Sequence, residues 1–473
     1  MNRGADRLRG EERGRRCRPD APLSACVVWG NDYASGVANL GHQRVWALAD
    51  DVPGWSADRL YALPRPRVRP ASFAWDRPLG SFDLVLASVS FENDYPALLE
   101  TLRAAGLLAG HGERTGPLLI AGGAAPGLNP LPLAPFFDAV YSGDAEAVLP
   151  SLLEGIYENP PRTRGEAWSL FEKHGLLVDA LGATGERKAW VSPSYATSET
   201  VHPAGHFGET ALVELGRGCP RWCRFCAVGW TAGGYRPADA GALREQIVRV
   251  TGDLGVNRVG LVGAAIAEGD DLPDLLRWLK ERGLRATASS LRADLLNGET
   301  ARLLVELGQR TLTLSAEAGS QVLRDALGKG LSDADLLAAA DAAREAGARG
   351  LKLYLMYGLP GETDDDLRAA GSLAVRIRKN LGRTRLTVSA SPFVPKPGTP
   401  LSDAPLVEER ELRRRREILA DALRRAGVRS FTGESPRQAL WQAALTRGDR
   451  TVLARLLAGE TRGALVKEAV HRR

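Results

Sequence analysis

The run Glu214-Leu-Gly-Arg-Gly-Cys-Pro-Arg-Trp-Cys-Arg-Phe-Cys226 sets Cys219, Cys223 and Cys226 in a CxxxCxxC spacing directly after a strand-like segment. The chain has five cysteines, and the other two, Cys17 and Cys26, lie far upstream. Gathering the remaining three on one short loop points to a shared ligand. Three thiolates suit iron and sulfur. A zinc site ordinarily closes with a fourth nitrogen or sulfur, and the nearest histidines, His202 and His206, stand well upstream on a Pro- and Gly-rich approach. A four-iron cluster held by three cysteines keeps one iron open for a substrate or cofactor. A disulfide framework wants an even count and an oxidising compartment. Zinc ligation and a structural set of buried thiols stay open as alternatives.

The elements that must position these thiols follow from periodicity. From Glu209, strand-like runs at Thr210 to Leu215, Arg258 to Val262, Ala286 to Ser290, Thr311 to Ser315, Leu351 to Met356 and Arg385 to Ser391 alternate with amphipathic helices. Six β/α units make a partial barrel, and chemistry in parallel barrels collects at the carboxyl ends of the strands. Ahead of it, Ala25 to Trp29, Arg59 to Leu63, Asp83 to Ser88, Leu118 to Ala121 and Ala139 to Ser142 read as strands. Helical stretches at Ala38 to Ala49, Tyr95 to Leu108 and Glu146 to Tyr157 separate or follow them, the pattern of an open parallel α/β sheet. Ligands gather at the carboxyl ends of such strands. The loops there, including Ala121-Gly-Gly-Ala-Ala-Pro126 and Ser142-Gly-Asp-Ala-Glu146, carry small residues that let backbone approach a ligand closely.

The cysteine spacing, with the aromatic Phe225 just before the last cysteine, resembles the signature of the radical S-adenosylmethionine enzymes. The resemblance implies that an open iron of a 4Fe-4S cluster chelates S-adenosylmethionine and that one electron cleaves it to a 5'-deoxyadenosyl radical. It also implies an electron donor such as flavodoxin or ferredoxin. Gly263-Ala264-Ala265-Ile266 takes the place of the family's Gly-Gly-Glu turn, whose carbonyls receive the methionine amino group; the acid is missing here. Arg292, ending Ser289-Ser-Leu-Arg292, is either a forked donor to a carboxylate or a cap on the next helix. Glu317 lies in a turn similar to the family's Glu-x-Gly-Ser and is expected to accept hydrogen bonds from ribose or amino group. Gly358, Pro360 and Gly361 match the adenine-contacting turn, with Glu362 as a capping or a catalytic acid; Phe393 and Val394 would cover the base. Barrel interiors of this family hold the substrate, which makes Lys352, a charge in an otherwise apolar strand, a catalytic-site candidate. Tyr235 and Arg236, just past the cysteine loop, are candidates of the same kind.

The N-terminal half is similar to the Rossmann-like cobalamin-binding domain found ahead of many radical S-adenosylmethionine barrels. Gly122 and Gly123, in Ile120-Ala-Gly-Gly-Ala, and Gly143 and Glu146, in Phe137-Asp-Ala-Val-Tyr-Ser-Gly-Asp-Ala-Glu146, carry that likeness. The Asp-x-His-x-x-Gly turn that ligates cobalt is absent, since Ala34 follows two places after Asp32, and His42 falls inside a helix as an ordinary core residue. Either cobalamin binds without a protein histidine, or the domain keeps the fold without the cofactor. The stretch from Ser435 to Arg450 resembles the end of an uncharacterised set of cobalamin-domain radical enzymes, a likeness that covers nearly all of Ser24 to Leu457 and names no substrate.

At 473 residues the chain suggests two or three domains. The reading is a disordered Arg-rich leader over 1–23, a cobalamin-binding-like domain over 24–157, a connector over 158–208, the barrel over 209–402 and a helical C-terminal region over 403–473. No apolar run reaches the roughly 18 to 20 residues of a membrane span, and no apolar stretch follows the Arg-rich start, so the expected compartment is the cytoplasm. The net charge of +5 and pI near 9.0 are mild and local, concentrated in Arg3 to Arg18 and Arg413 to Arg416. Such runs are ordinarily solvated tails or helix faces and make no case for a nucleic-acid partner. Three functional readings follow: a cobalamin-dependent methyltransferase, a cobalamin-free radical enzyme that inserts sulfur or rearranges its substrate, and a non-catalytic cluster or corrin sensor.

Overall fold

The computed structural model describes residues 3–18, 21–62, 69–108, 115–182, 185–268 and 271–471, with side chains from residue 7 onward. Its first sheet contains β1 (Leu23–Trp29), β2 (Trp55–Tyr61), β3 (Leu84–Ser88), β4 (Leu118–Gly122) and β5 (Ala139–Tyr141). The spatial order is β2-β1-β3-β4-β5, with every pairing parallel. The strands are apolar and buried along nearly their whole length because helices cover both faces. Val28, Val85 and Leu119 pack toward Leu98, Leu99 and Leu102 of helix Tyr95–Ala104. Val27, Leu86 and Ile120 pack on the other face toward helices Leu40–Asp51 and Leu149–Glu158. The order reverses between β1 and β3, the switch point where a ligand crevice opens in such sheets.

A second group of strands is β6 (Ala211–Glu214), β7 (Arg258–Val262), β8 (Arg285–Ala288), β9 (Thr311–Glu317), β10 (Gly350–Tyr357), β11 (Arg385–Pro392) and β12 (Phe431–Thr432). They run in that spatial order, all parallel, as two ladders joined by a parallel bridge between Leu291 and Leu314. This is the expected partial barrel with one short strand more; β12 is too brief to show a period in the sequence. Alternation decides the faces. Leu351, Leu353, Leu355 and Tyr357 of β10 pack outward against helices such as Asp333–Glu345 and Asp364–Leu381, while Lys352, Tyr354 and Met356 face the lumen, half-exposed. Thr363 caps helix Asp364–Leu381 in a reciprocal box with Asp366, as its sequence suggests.

Several expectations change. The leader expected to be disordered carries a helix, Arg3–Glu11, and a two-residue strand, Arg13–Gly14, paired antiparallel with Thr200–Val201. What orders it is charge: buried Glu12 accepts two 2.9 Å hydrogen bonds from Arg59 of β2, whose guanidinium lies 3.9 Å from the centre of the Trp46 ring. In the connector, Lys188 pairs with Gly143 in a single parallel bridge. The helical C-terminal region expected over 403–473 includes three helices after residue 435, Pro436–Thr446, Val452–Leu457 and Arg462–His471. Leu63, the expected end of the second strand, lies outside the described residues.

Candidate functional site

The cysteine loop leaves the carboxyl end of β6 through Gly216 and Gly218. Gly218 has φ +75°, and a Cβ there would run into the Gly234 carbonyl, so only glycine fits this close crossing. Gly216–Arg217 pairs with Arg236–Pro237, closing the loop at its base. Cys226 sits at the N-cap of the short helix Ala227–Thr231, and its amide donates to the Cys223 carbonyl at 3.1 Å. The Trp230 indole N–H donates to the same carbonyl at 3.0 Å. Cys223 is buried and the other two thiols are half-buried. Burial pushes the Cys223 thiol up, and the Cys226 and Cys219 charges add to that, while Lys329 and Arg292 pull it down. Three thiols on one short loop are a donor set that suits an anionic iron–sulfur cluster. Among the described residues no three His, Cys, Asp or Glu side chains converge on a single metal ion; a cluster that gives each iron its own thiolate needs no such convergence.

The strand-end turns meet this loop unevenly. Phe225 packs against an apolar group containing Leu323, Leu327, Leu359 and Phe393, so the two aromatics expected near the cofactor converge, with Val394 next to them in sequence. Gly358 and Gly361 adopt φ +77° and +75° around Pro360. Glu362 holds that turn: its carboxylate accepts from the Gly358 amide at 2.6 Å and from Arg415 at 3.2 Å. Burial pushes its pKa up to about 7. A Cβ added at Gly263 would stand 3.6 Å from the Gly216 carbonyl, an ordinary contact, and the residue lines a cavity. Beyond it, the Tyr235 hydroxyl donates toward the carbonyls of Ala265 and Glu268 at 3.4 Å, with Ala264 preceding that turn.

The acid missing from the Gly263 turn has a neighbour that sequence reading passed over. Glu268 accepts from Arg221 of the cysteine loop at 2.7 Å and stands 3.8 Å from Arg292. Arg292 spends its fork on Asp294 at 3.0 Å and on the carbonyls of Lys329 and Gly330, so it closes its own loop. Glu317 has φ +69° at a register shift in β9, a strained backbone for a non-glycine residue. Its carboxylate is paired at 2.9 Å with buried Lys329. Lys329 was not legible because it lies on the loop after the next short helix. Lys352 stands near the amino end of β10, five residues short of its carboxyl end at Tyr357, or about 17 Å at the usual rise. Its ammonium sits 4.8 Å from the Tyr354 ring centre. Buried His202 packs edge-on to Tyr33, and His206 is exposed; both belong to the N-terminal side.

A cavity of about 610 Å³ opens at the carboxyl ends of β3, β4 and β5. Gly122, Gly123, Gly143 and Glu146 all line it. Gly123 has φ +118°, and a Cβ there would strike the Val89 carbonyl. A Cβ on Gly143 would come within 2.6 Å of the Lys188 carbonyl. The opposite wall belongs to the barrel: Ala227, Val228 and Thr231, directly after Cys226, and Gly263. At the rim Glu146 accepts from Arg217 at 2.8 and 2.9 Å and from Arg44 at 3.1 Å. Burial pushes the Glu146 carboxyl up, but Arg217 outweighs it and holds the group below its ordinary range. Arg236 binds Asp144 at 2.9 Å and the carbonyl of Gly233. Arg217 and Arg44 escaped the sequence reading because their partner is distant in the chain. His42 is fully buried outside the cavity, as a core histidine.

Comparison with known families now decides the reading. Residues 213–374 match the Radical SAM superfamily, and residues 41–174 match the family described as Radical SAM proteins, N-terminal. The chain carries radical SAM superfamily domains. Such domains imply a 4Fe-4S cluster and S-adenosylmethionine as cofactors and a reductant to supply electrons. This radical SAM chain is 29% identical over 383 residues to an uncharacterized protein of Methanocaldococcus jannaschii, covering 80% of each. It is 26% identical over 213 residues to the tRNA-2-methylthio-N(6)-dimethylallyladenosine synthase of Sulfurihydrogenibium sp., covering 43% of this chain and 47% of that one. The chain thus spans about half the length of that synthase. Among solved structures, the radical S-adenosylmethionine methyltransferase TsrM from Kitasatospora setae, with cobalamin and a [4Fe-4S] cluster bound, superposes with a TM-score of 0.55 at 14% identity, over 81% of this chain and 74% of that one. The cobalamin-dependent radical enzyme OxsB with aqua-cobalamin bound gives 0.53 at 13% identity, over 75% and 52%. At these identities the likeness concerns the fold. No helix among the described residues is long and apolar enough to cross a membrane.

Proposed function

We propose that this radical SAM enzyme is a cobalamin-dependent methyltransferase, in which Cys219, Cys223 and Cys226 hold the cluster and the cavity between the two sheets takes the corrin. The observation that carries the reading is the shared wall: the residues directly after Cys226 close one side of the cavity lined by Gly122, Gly123 and Gly143. Bound there, the cluster supplies one-electron cleavage of S-adenosylmethionine and the corrin supplies methyl donation. The chain's own residues position and shelter. Lys329 and Arg292 offset thiolate charge, while Glu317, held by Lys329, offers its second oxygen toward the ribose or amino group. Backbone at Gly263, Ala264 and Ala265 offers carbonyls to the amino group, and Gly358, Pro360 and Gly361 with Phe393 and Val394 offer a flat apolar bed to the base. Small residues along the cavity let main chain approach a planar macrocycle. Among the described residues its lining contains no histidine, so the corrin would bind without an imidazole from the protein.

Likeness to the tRNA methylthio synthases over part of the chain supports a second reading, sulfur insertion without corrin. Anaerobic reconstitution with iron, sulfide and hydroxocobalamin separates the two. Tight corrin uptake with transfer of the methyl group supports the first. Formation of 5'-deoxyadenosine with no corrin uptake supports the second, and a protein that stays colourless or retains zinc removes both.

A further inference from the structure

We infer that Trp222 and Trp230, with the exposed Arg224 of the same loop, form the docking surface for a small acidic one-electron carrier protein. The inference rests on the cluster assignment above. Trp222 is 57% exposed and Trp230 38% exposed, and the two rings meet edge to face at 4.9 Å. Large apolar side chains left together in water are unusual on a surface with no partner, and Trp and Arg are the residues enriched where partners dock. Their place in the chain is specific. Trp222 lies between Cys219 and Cys223, and the Trp230 indole is hydrogen-bonded to the backbone of buried Cys223. A carrier seated on these rings would therefore stand one hydrogen bond from a cluster ligand.

The surface also points away from the cavity. Helix Ala227–Thr231 turns Ala227, Val228 and Thr231 toward the cavity, and Trp230 is not among the lining residues. A substrate or corrin occupying the cavity would leave the two rings free. Charge selects the partner. Arg224 is exposed, its guanidinium donating to the Ala326 carbonyl at 3.2 Å, and it makes no ion pair among the described residues. Arg221, on the same loop, adds a second, partly neutralised cation. A partner with an acidic rim around its redox centre fits both the rings and the charge. In the step itself the carrier is oxidised by one electron and the cluster is reduced by one; no proton or group moves.

The test compares two reductants on the full-length, reconstituted enzyme: reduced flavodoxin and sodium dithionite, which needs no docking surface. Trp222→Ala and Arg224→Glu are expected to weaken binding of oxidised flavodoxin by at least about tenfold, measured by calorimetry, and wild-type binding should fall as salt rises. Both variants should form 5'-deoxyadenosine from S-adenosylmethionine at the wild-type rate with dithionite and far more slowly with flavodoxin. Unchanged flavodoxin binding overturns the proposal. So does an equal loss with both reductants, which would assign the residues to the cluster or to substrate. A wild-type enzyme inactive with dithionite would instead fail the cluster assignment, and the binding measurement would still decide the surface.

Discussion

His42 offers a prediction whose size follows from the structure. The imidazole is 0% exposed, set 5.6 Å from the Trp29 ring and 5.5 Å from the Tyr61 ring, and neither nitrogen has a hydrogen-bond partner among the described residues. Burial pushes its pKa down to about 3, with Arg59 adding to the effect. Unfolded, it titrates near 6.5. The unfolded chain therefore takes up a proton that the folded chain refuses. The stability His42 contributes is present above pH 6.5 and is lost as pH falls toward 3. At pH 4.5, two units below the unfolded value, the loss is about 2.7 kcal/mol. His42→Phe removes the titration while keeping an aromatic ring between Trp29 and Tyr61. Urea unfolding of both proteins at pH 7.5 and 4.5, followed by tryptophan fluorescence, should show the wild type losing about 2.7 kcal/mol more than the variant. Carboxylates that titrate in the same range cancel in this double difference. Equal losses would mean that the ring is reached by water and protonates in the folded state. The variant should also take up hydroxocobalamin with the wild-type spectrum; an altered spectrum would assign the imidazole to the metal and undo the core reading.

Other outcomes are expected at the site and at its supports. Cys223→Ala should abolish the brown chromophore after anaerobic reconstitution and, with it, 5'-deoxyadenosine formation; an intact redox-active cluster in that variant would refute the ligand assignment. Glu317→Ala should keep its iron and bind S-adenosylmethionine about tenfold more weakly by calorimetry, and unchanged affinity would remove it from the site. Glu92, after β3, accepts from Lys396 at 2.7 Å and from Gln442 and Thr446 at 2.8 Å, so it joins the first sheet to the β11 loop and to helix Pro436–Thr446. Glu92→Ala leaves Lys396 without its carboxylate and should cost about 3 to 5 kcal/mol, seen in urea unfolding and as faster proteolysis. Gly123→Ala forces a Cβ against the Val89 carbonyl at a positive φ and should diminish corrin uptake while iron content holds.

What could be read without coordinates was what repeats or clusters locally. The three thiols, the alternation of β10 and β11, and the glycines at Gly122, Gly123 and Gly143 each announce themselves within a few residues. The missed features depend on meetings across the chain. Glu12 orders the N-terminal segment only because Arg59 lies under Trp46, and no local pattern in an Arg- and Gly-rich stretch reveals such a partner. Lys329 becomes visible only when the strained bulge at Glu317 turns a carboxylate toward it. Lys352 shows how far such a pattern reaches: a lone charge in an apolar strand marks the lumen face, while its distance along the strand, here near the amino end, is given only by the coordinates.

The turn Gly143-Asp-Ala-Glu146 carries much of the likeness to cobalamin domains, yet the structure gives it a second task. Asp144 receives Arg236 at 2.9 Å and Arg217 at 3.3 Å, and Glu146 receives Arg217 through two hydrogen bonds. Arg217 and Arg236 are partners in the strand pair that closes the base of the cysteine loop. The loop therefore stands on the acids of the first sheet. All four side chains are at most 20% exposed, so removing Asp144 leaves the buried Arg236 guanidinium with backbone carbonyls alone, which costs far more than losing a surface pair, whereas Arg217 keeps Glu214 when either acid is lost. Selection to keep three thiols in place would retain this turn in a chain that had no corrin. The turn thus couples the sheet to the cysteines, and a macrocycle is supported instead by Gly122 and Gly123, which line the cavity and, at Gly123, let the backbone pass against the Val89 carbonyl. Asp144→Asn should accordingly loosen the loop and reduce iron retention whether or not hydroxocobalamin is supplied. Dependence of that loss on added corrin would show instead that the turn acts through the cofactor.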